Sequence, residues 1–121
     1  MCDTSSAAPQ LPPEGEQRVV SIGDLATAAG VTIRDASIAF RRWGAFRGDP
    51  HGENNVLVVE HALTGDSDAA DWWCEAIGPG KALDTDKWCV ICTNALGSCY
   101  GSTGPASEHP DGGVWGSRFP A

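Results

Sequence analysis

The sequence predicts an α/β fold built on a mostly parallel sheet, and three observations carry that reading. Val56 to Glu60, VLVVE, is a short apolar run rich in β-branched residues, as a buried strand requires. Trp88 to Thr93, WCVICT, is a second such run. Between them, Asp66 to Ile77 is helix-compatible and puts Ala69, Trp72, Trp73 and Ala76 on one side. Two apolar strands with a helix between them form a βαβ unit, which implies parallel pairing and a right-handed crossover.

The other elements follow in order. Residues 1–16 are rich in Pro and Ser and read as a disordered tail, leaving 17–121 as one folded unit that runs to Ala121. Arg18 to Ile22 reads as a first strand, with Gly23 and Asp24 as its turn and Gly30 as another turn. Ile33 to Trp43 reads as a second strand, alternating in part through Ile33, Ala36, Ile38 and Phe40, with Arg34 and Asp35 blurring the period. These two would extend the sheet as an antiparallel edge. Arg47 to Asn55 is a polar loop.

The run from Val56 stops at His61, and Ala62, Leu63, Thr64 and Gly65 follow. Gly65 makes a sharp turn cheap, and Asp66 and Ser67 are good N-cap residues. A strand, a tight turn and a helix in that order leave backbone N–H groups facing outward, ready for an anion. Gly78-Pro79-Gly80 ends the helix, Lys81 to Lys87 is a charged connection, and the chain from Asn94 onward is Gly-, Ser- and Pro-rich loop.

The chain has 121 residues, 41% of them hydrophobic, enough for one globular domain. Eight basic against sixteen acidic residues give a net charge of −8, which argues against a nucleic-acid or anionic-membrane surface. No apolar run approaches the ~18 residues that would span a bilayer. MCDTSSAAPQLPPEGE has neither a basic stretch nor an apolar core, so it does not read as a secretory signal, and a cytoplasmic chain is expected. Five Cys in a reducing compartment read as small hydrophobes rather than a disulfide framework.

Each candidate constellation has a plainer reading. Cys89, Cys92, Cys99 and His109 have zinc-like spacing, but strand geometry points residues three apart to opposite faces, so no metal site is expected. Asp66, Asp68 and Asp71 read as acids favourably placed near a helix N-terminus rather than as a cation site. Of Trp72 and Trp73, one is expected in the core and one at a pocket rim. Gly97, Gly101 and Gly104 resemble a phosphate loop only in composition.

HALTGDSDAADWW, IGPGKALDTDKWCVICTNALGSCYGSTGP and WGSRFP resemble the N-terminal part of homoserine O-acetyltransferases, in register from about Arg18 to Pro120. That resemblance implies the N-terminal part of an α/β-hydrolase fold. The family's nucleophilic Ser sits on a G-x-S-x-G elbow, followed later by Asp and His. Neither GSCYG at Gly97 nor GSTGP at Gly101 fits that pattern, nor does any other window. The expectation is therefore a front part of the enzyme, truncated before its elbow. Its nucleophilic Ser, its Asp and its His are all expected beyond Ala121, with no catalytic residue in this chain.

For the complete enzyme the resemblance implies acetyl transfer from acetyl-CoA, as co-substrate, to the hydroxyl of L-homoserine in methionine biosynthesis, with no bound cofactor. A homodimer stays open. If Val56 to Glu60 is the fold's third strand, Leu63 resembles the residue whose backbone N–H lines the oxyanion hole, with Thr64 beside the acyl group. Succinyl-CoA as donor, serine as acceptor, and a non-catalytic module that binds a partner are the alternatives.

Overall fold

The computed structural model describes residues 11–49 and 51–120. Its elements are β1 (Arg18–Ala26), β2 (Thr32–Trp43), β3 (Val56–Val59), α1 (Ala69–Trp72), β4 (Ile77–Gly78), β5 (Leu83–Asp84) and β6 (Cys89–Thr93). One sheet runs in the order β1-β2-β6-β3, and β4 and β5 form a small separate pair. The sheet is mixed. β3 and β6 pair in parallel, Val56 opposite Cys89 through Val59 opposite Cys92. β1 and β2 are antiparallel, as are β2 and β6. The parallel unit and the antiparallel extension both appear where the sequence places them.

The N-terminal strands are longer and less regular than expected. β1 does not turn at Gly23 and Asp24; it continues to Ala26, with register shifts on either side of Gly23. The hairpin turn lies at Thr27–Val31 instead, where Thr27 N–H donates to Val31 O and Gly30 N–H to Thr27 O. In β2, Asp35 has φ of +47°. That angle costs a non-glycine residue about 1–2 kcal/mol. It is held by Asp24, which accepts the Asp35 N–H at 2.9 Å and the Arg34 guanidinium at 2.7 Å. The kink resets the burial period, so Ile33, Ala36 and Ala39 are the buried set rather than an Ile38–Phe40 alternation.

The helix is the main departure. Asp66 to Ile77 was the expected span, but α1 covers only Ala69–Trp72. Asp66 accepts the Asp68 N–H rather than capping the helix, and Asp68, at the N-cap, makes no side-chain cap bond. After Trp73 the chain leaves the helix because Ile77 is buried and bridges to Leu83. Tertiary burial overrides helix propensity here. Trp72 and Trp73 are 38% and 49% exposed, so neither enters the core as one of them was expected to.

Two further segments are more ordered than their composition implies. Residues 1–10 of the expected tail lie outside the described residues, and so does Ala121, the last residue of the expected folded unit. Residues 11–16, read as part of the tail, are held: Pro12 is fully buried, Arg42 Nε donates to Pro12 O at 2.7 Å, and Gly15 N–H donates to Arg42 O. The loop after Asn94 packs along β2. Ser102 Oγ accepts the Ala39 N–H at 2.9 Å, and Thr103 Oγ1 accepts the Ser37 N–H at 2.8 Å. These hydroxyls satisfy strand donors that would otherwise be orphaned.

Among the described residues the core divides into two clusters. Val59, Ala69, Ile77, Val90 and Cys92 form one, and Ile33, Ala36 and Trp115 the other. Val90 and Cys92, two apart on β6, share a face as strand geometry dictates.

Candidate functional site

The chain leaves β3 at Val59 and makes a tight turn closed by Gly65 N–H donating to Ala62 O at 2.8 Å. Gly65 sits in a tight space there rather than at an unusual backbone angle. A Cβ on it would lie 3.1 Å from His61 Cβ and 3.3 Å from Ala62 O. Leu63 and Thr64 occupy the tip, both exposed, and Leu63 is fully so. Among the described residues neither backbone N–H donates a hydrogen bond to another backbone group.

His61 and Ser67 mark the two ends of this turn. His61 Nδ1 lies 2.7 Å from Ala62 O, and its Nε2 accepts the Ala95 N–H at 3.1 Å. Ser67 is buried, and its N–H donates to Asn94 Oδ1 at 2.7 Å. Asn94 Nδ2 in turn donates to Ser67 Oγ, Gln17 Oε1 and Tyr100 O. This fully buried amide therefore joins three stretches of chain. Nothing in its local sequence marks it beyond a polar residue at the end of an apolar strand.

Beside the turn lies a largely apolar pocket of about 480 Å³. Its walls include His61, Leu63 and Gly65 on one side and Leu96, Cys99 and Tyr100 on the other. Thr64 is at the turn but not among the lining residues. A bare amide next to an apolar cavity suits a group with a polarised oxygen and a short acyl chain.

The cysteines divide by exposure. Cys89 and Cys92 are fully buried, whereas Cys74 and Cys99 are exposed, unlike the small buried hydrophobes expected of the set. Burial pushes the Cys92 thiol up to about 11, helped by the nearby charges of Glu60, Asp66 and Asp68. Burial also raises Cys89. Among the described residues no three His, Cys, Asp or Glu side chains gather as metal ligands do. Gly101 and Gly104 serve close packing: a Cβ would lie 2.9 Å from the Ala39 side chain and 2.2 Å from Ser98 O respectively. Among the described residues no helix is long and apolar enough to cross a membrane.

A parallel strand–turn–helix–strand unit at the edge of a mixed sheet, with a bare amide at the carboxyl end of its strand, defines part of an α/β-hydrolase fold. An esterase crystal structure superposes on the chain with a TM-score of 0.75 and 31% identity, over 87% of this chain and 32% of the esterase. The homoserine O-acetyltransferase of Bacillus anthracis gives 0.73 and 26%, over 87% and 32%. In sequence the chain is 63% identical over 113 residues to the homoserine O-acetyltransferase of Corynebacterium efficiens, 93% of this chain and 30% of that relative. No family model matches. Along nearly its whole length the chain is similar to homoserine O-acetyltransferases, and it spans about 30% of the length of the curated relatives it matches. The Ser, Asp and His expected beyond Ala121 fall outside the described residues, which run to Pro120.

Proposed function

We propose that this segment supplies half of an oxyanion hole and one wall of the acyl pocket in an enzyme that moves an acetyl group from acetyl-CoA to the hydroxyl of L-homoserine. The observation that carries the proposal is the Leu63 N–H, which no backbone acceptor among the described residues takes, held at the end of β3 beside the pocket. In this reading a serine elsewhere in the complete enzyme attacks the thioester carbonyl. The electron pair moves onto the carbonyl oxygen, and the Leu63 amide stabilises the charge there. The C–S bond then breaks and CoA leaves as its thiol. The homoserine hydroxyl next attacks the acyl-serine through a second oxyanion in the same hole, returning the serine. The product is an O-acetylated amino acid for methionine biosynthesis, made without a bound cofactor in the cytoplasm. Thr64 sits at the tip of the turn next to Leu63, outside the pocket wall. The relatives' names support this reading, and the charge of −8 supports small-molecule substrates over nucleic acid or membrane.

The test is Leu63→Pro in a complete enzyme carrying this segment. Proline removes the donor, and losing one oxyanion donor costs on the order of 10²–10³ in kcat. Leu63→Met keeps the amide and roughly the volume, so it costs far less. CoA release with homoserine reads both, and thermal midpoints show that the turn still folds. A folded Leu63→Pro enzyme with near-normal kcat would overturn the assignment.

A further inference from the structure

We propose that the carboxyl end of β6 aims the Leu63 amide, with His61 and Asn94 acting as positioning residues at the two ends of the turn. The inference rests on the oxyanion reading of Leu63 and adds what holds that amide in place.

A peptide unit is planar, and no described bond here is cis. The Ala62 C=O and the Leu63 N–H therefore belong to one rigid plane and point in opposite directions. Whatever fixes the carbonyl fixes the amide. The Ala62 carbonyl has two partners, the Gly65 N–H and His61 Nδ1. A carbonyl only accepts, so His61 carries its proton on Nδ1. The Ala95 N–H only donates, so His61 Nε2 is bare. The imidazole is thereby committed to one neutral tautomer. It links the residue after Asn94 to the peptide plane that contains the Leu63 N–H.

The other end of the turn is held by the same corner of the fold. Asn94 Oδ1 accepts the buried Ser67 N–H, and Asn94 Nδ2 reaches Ser67 Oγ. Asn94 is itself seated on Gln17 and Tyr100. Two adjacent residues thus clamp the turn on both sides and leave its tip bare. A donor that is fixed before reaction needs no reorganisation as charge develops, which is the condition for strong oxyanion stabilisation.

The experiment uses the complete enzyme carrying this segment, with His61→Leu and His61→Asn. The Asn amide occupies about the place of Nδ1 and can still donate to Ala62 O, whereas Leu cannot. His61→Leu is expected to lower kcat roughly 10- to 100-fold, a part of the loss for a whole donor, with KM for homoserine unchanged within about twofold. His61→Asn is expected to recover only part of that loss, since it keeps the donor to Ala62 O but offers the Ala95 N–H no acceptor, and full recovery would show that β6 takes no part in aiming the amide. Nitrogen-15 spectra of the unsubstituted enzyme should show the Nδ1–H tautomer for His61, a readout that does not depend on any variant folding. The inference is overturned by an Nε2–H tautomer, by equal kcat losses in the two variants, or by full activity in His61→Leu. If Leu63→Pro lowers kcat and His61→Leu does not, the clamp fails and the oxyanion role stands. If neither lowers it, the oxyanion role itself fails.

Discussion

Replacing Gly44 by alanine tests how tightly β2 is seated beneath the start of β6. Gly44 closes β2 with φ of +84° and is buried. A Cβ there would lie 2.0 Å from Trp88 O, 2.8 Å from Thr85 O and 3.1 Å from Trp88 C. All three are backbone atoms, so no side chain can rotate out of the way. Gly30 is the control, since its φ is +81° and none of the described residues lies within 4 Å of its would-be Cβ. The left-handed angle costs alanine about 1–2 kcal/mol at either site. The clash adds about 2–3 kcal/mol at Gly44 alone, in the upper part of the overpacking range. Gly44→Ala should therefore lose about 3–5 kcal/mol against about 1–2 for Gly30→Ala. At roughly 4 °C per kcal/mol for a chain of this size, the two midpoints should differ by about 10 °C. Urea unfolding followed by tryptophan fluorescence, with the buried Trp115 as the principal reporter, gives both values. Losses that agree within about 0.5 kcal/mol would show that the Thr85–Trp88 backbone yields freely and that Gly44 serves only its angle.

The other predictions concern chemistry and association. At pH 8 a thiol reagent should label Cys74 and Cys99 quickly, and Cys89 and Cys92 only on unfolding, because burial raises both; fast labelling of all four in the folded chain would contradict the packing. Elemental analysis of protein purified without added metal should find no stoichiometric zinc, and one zinc per chain lost on Cys89→Ser with Cys92→Ser would reverse that. The 121-residue polypeptide should associate through β3, whose Val58 is 61% exposed and whose outer edge has no strand partner among the described residues; a monodisperse monomer with strong exchange protection over Leu57–Val59 would count against it. The Asp35 N–H, with Arg34, holds the Asp24 carboxyl below its ordinary value of 3.8. A depressed carboxyl stabilises the fold above its unfolded pKa, and that contribution is lost as pH falls through the folded one. Asp24→Asn should therefore flatten stability against pH below about 4, and an unchanged slope in that range would refute the link.

The sequence carries β3 and β6 openly because a buried parallel pair needs nothing more than β-branched apolar runs. It carries the turn at His61–Gly65 for the same local reason. The bulge at Gly23 and Asp35 was hidden because it depends on Asp24 reaching a backbone N–H eleven positions later. The short α1 was hidden because Ile77 leaves the helix to fill the core, which no propensity encodes. Asn94 was the hardest to see. Its partners lie 27 and 77 positions away, and only folding brings Ser67 and Gln17 to it. The loop after it reads as flexible because Gly and Ser are ordinarily mobile, yet Ser102 and Thr103 are spent on donors of β2.

The double register shift around Gly23 also gives the sheet a direction of growth. A bulged, twisted border strand offers an incoming strand no regular ladder, so β1 acts as a stop. At the opposite border β3 is short, unbulged and apolar, and the alternate amides and carbonyls that its ladder with β6 does not use are left on the outer side. Any strand added to this sheet is steered to that side, next to the turn that bears the Leu63 amide. An irregularity at one border thus determines which border is left to be completed.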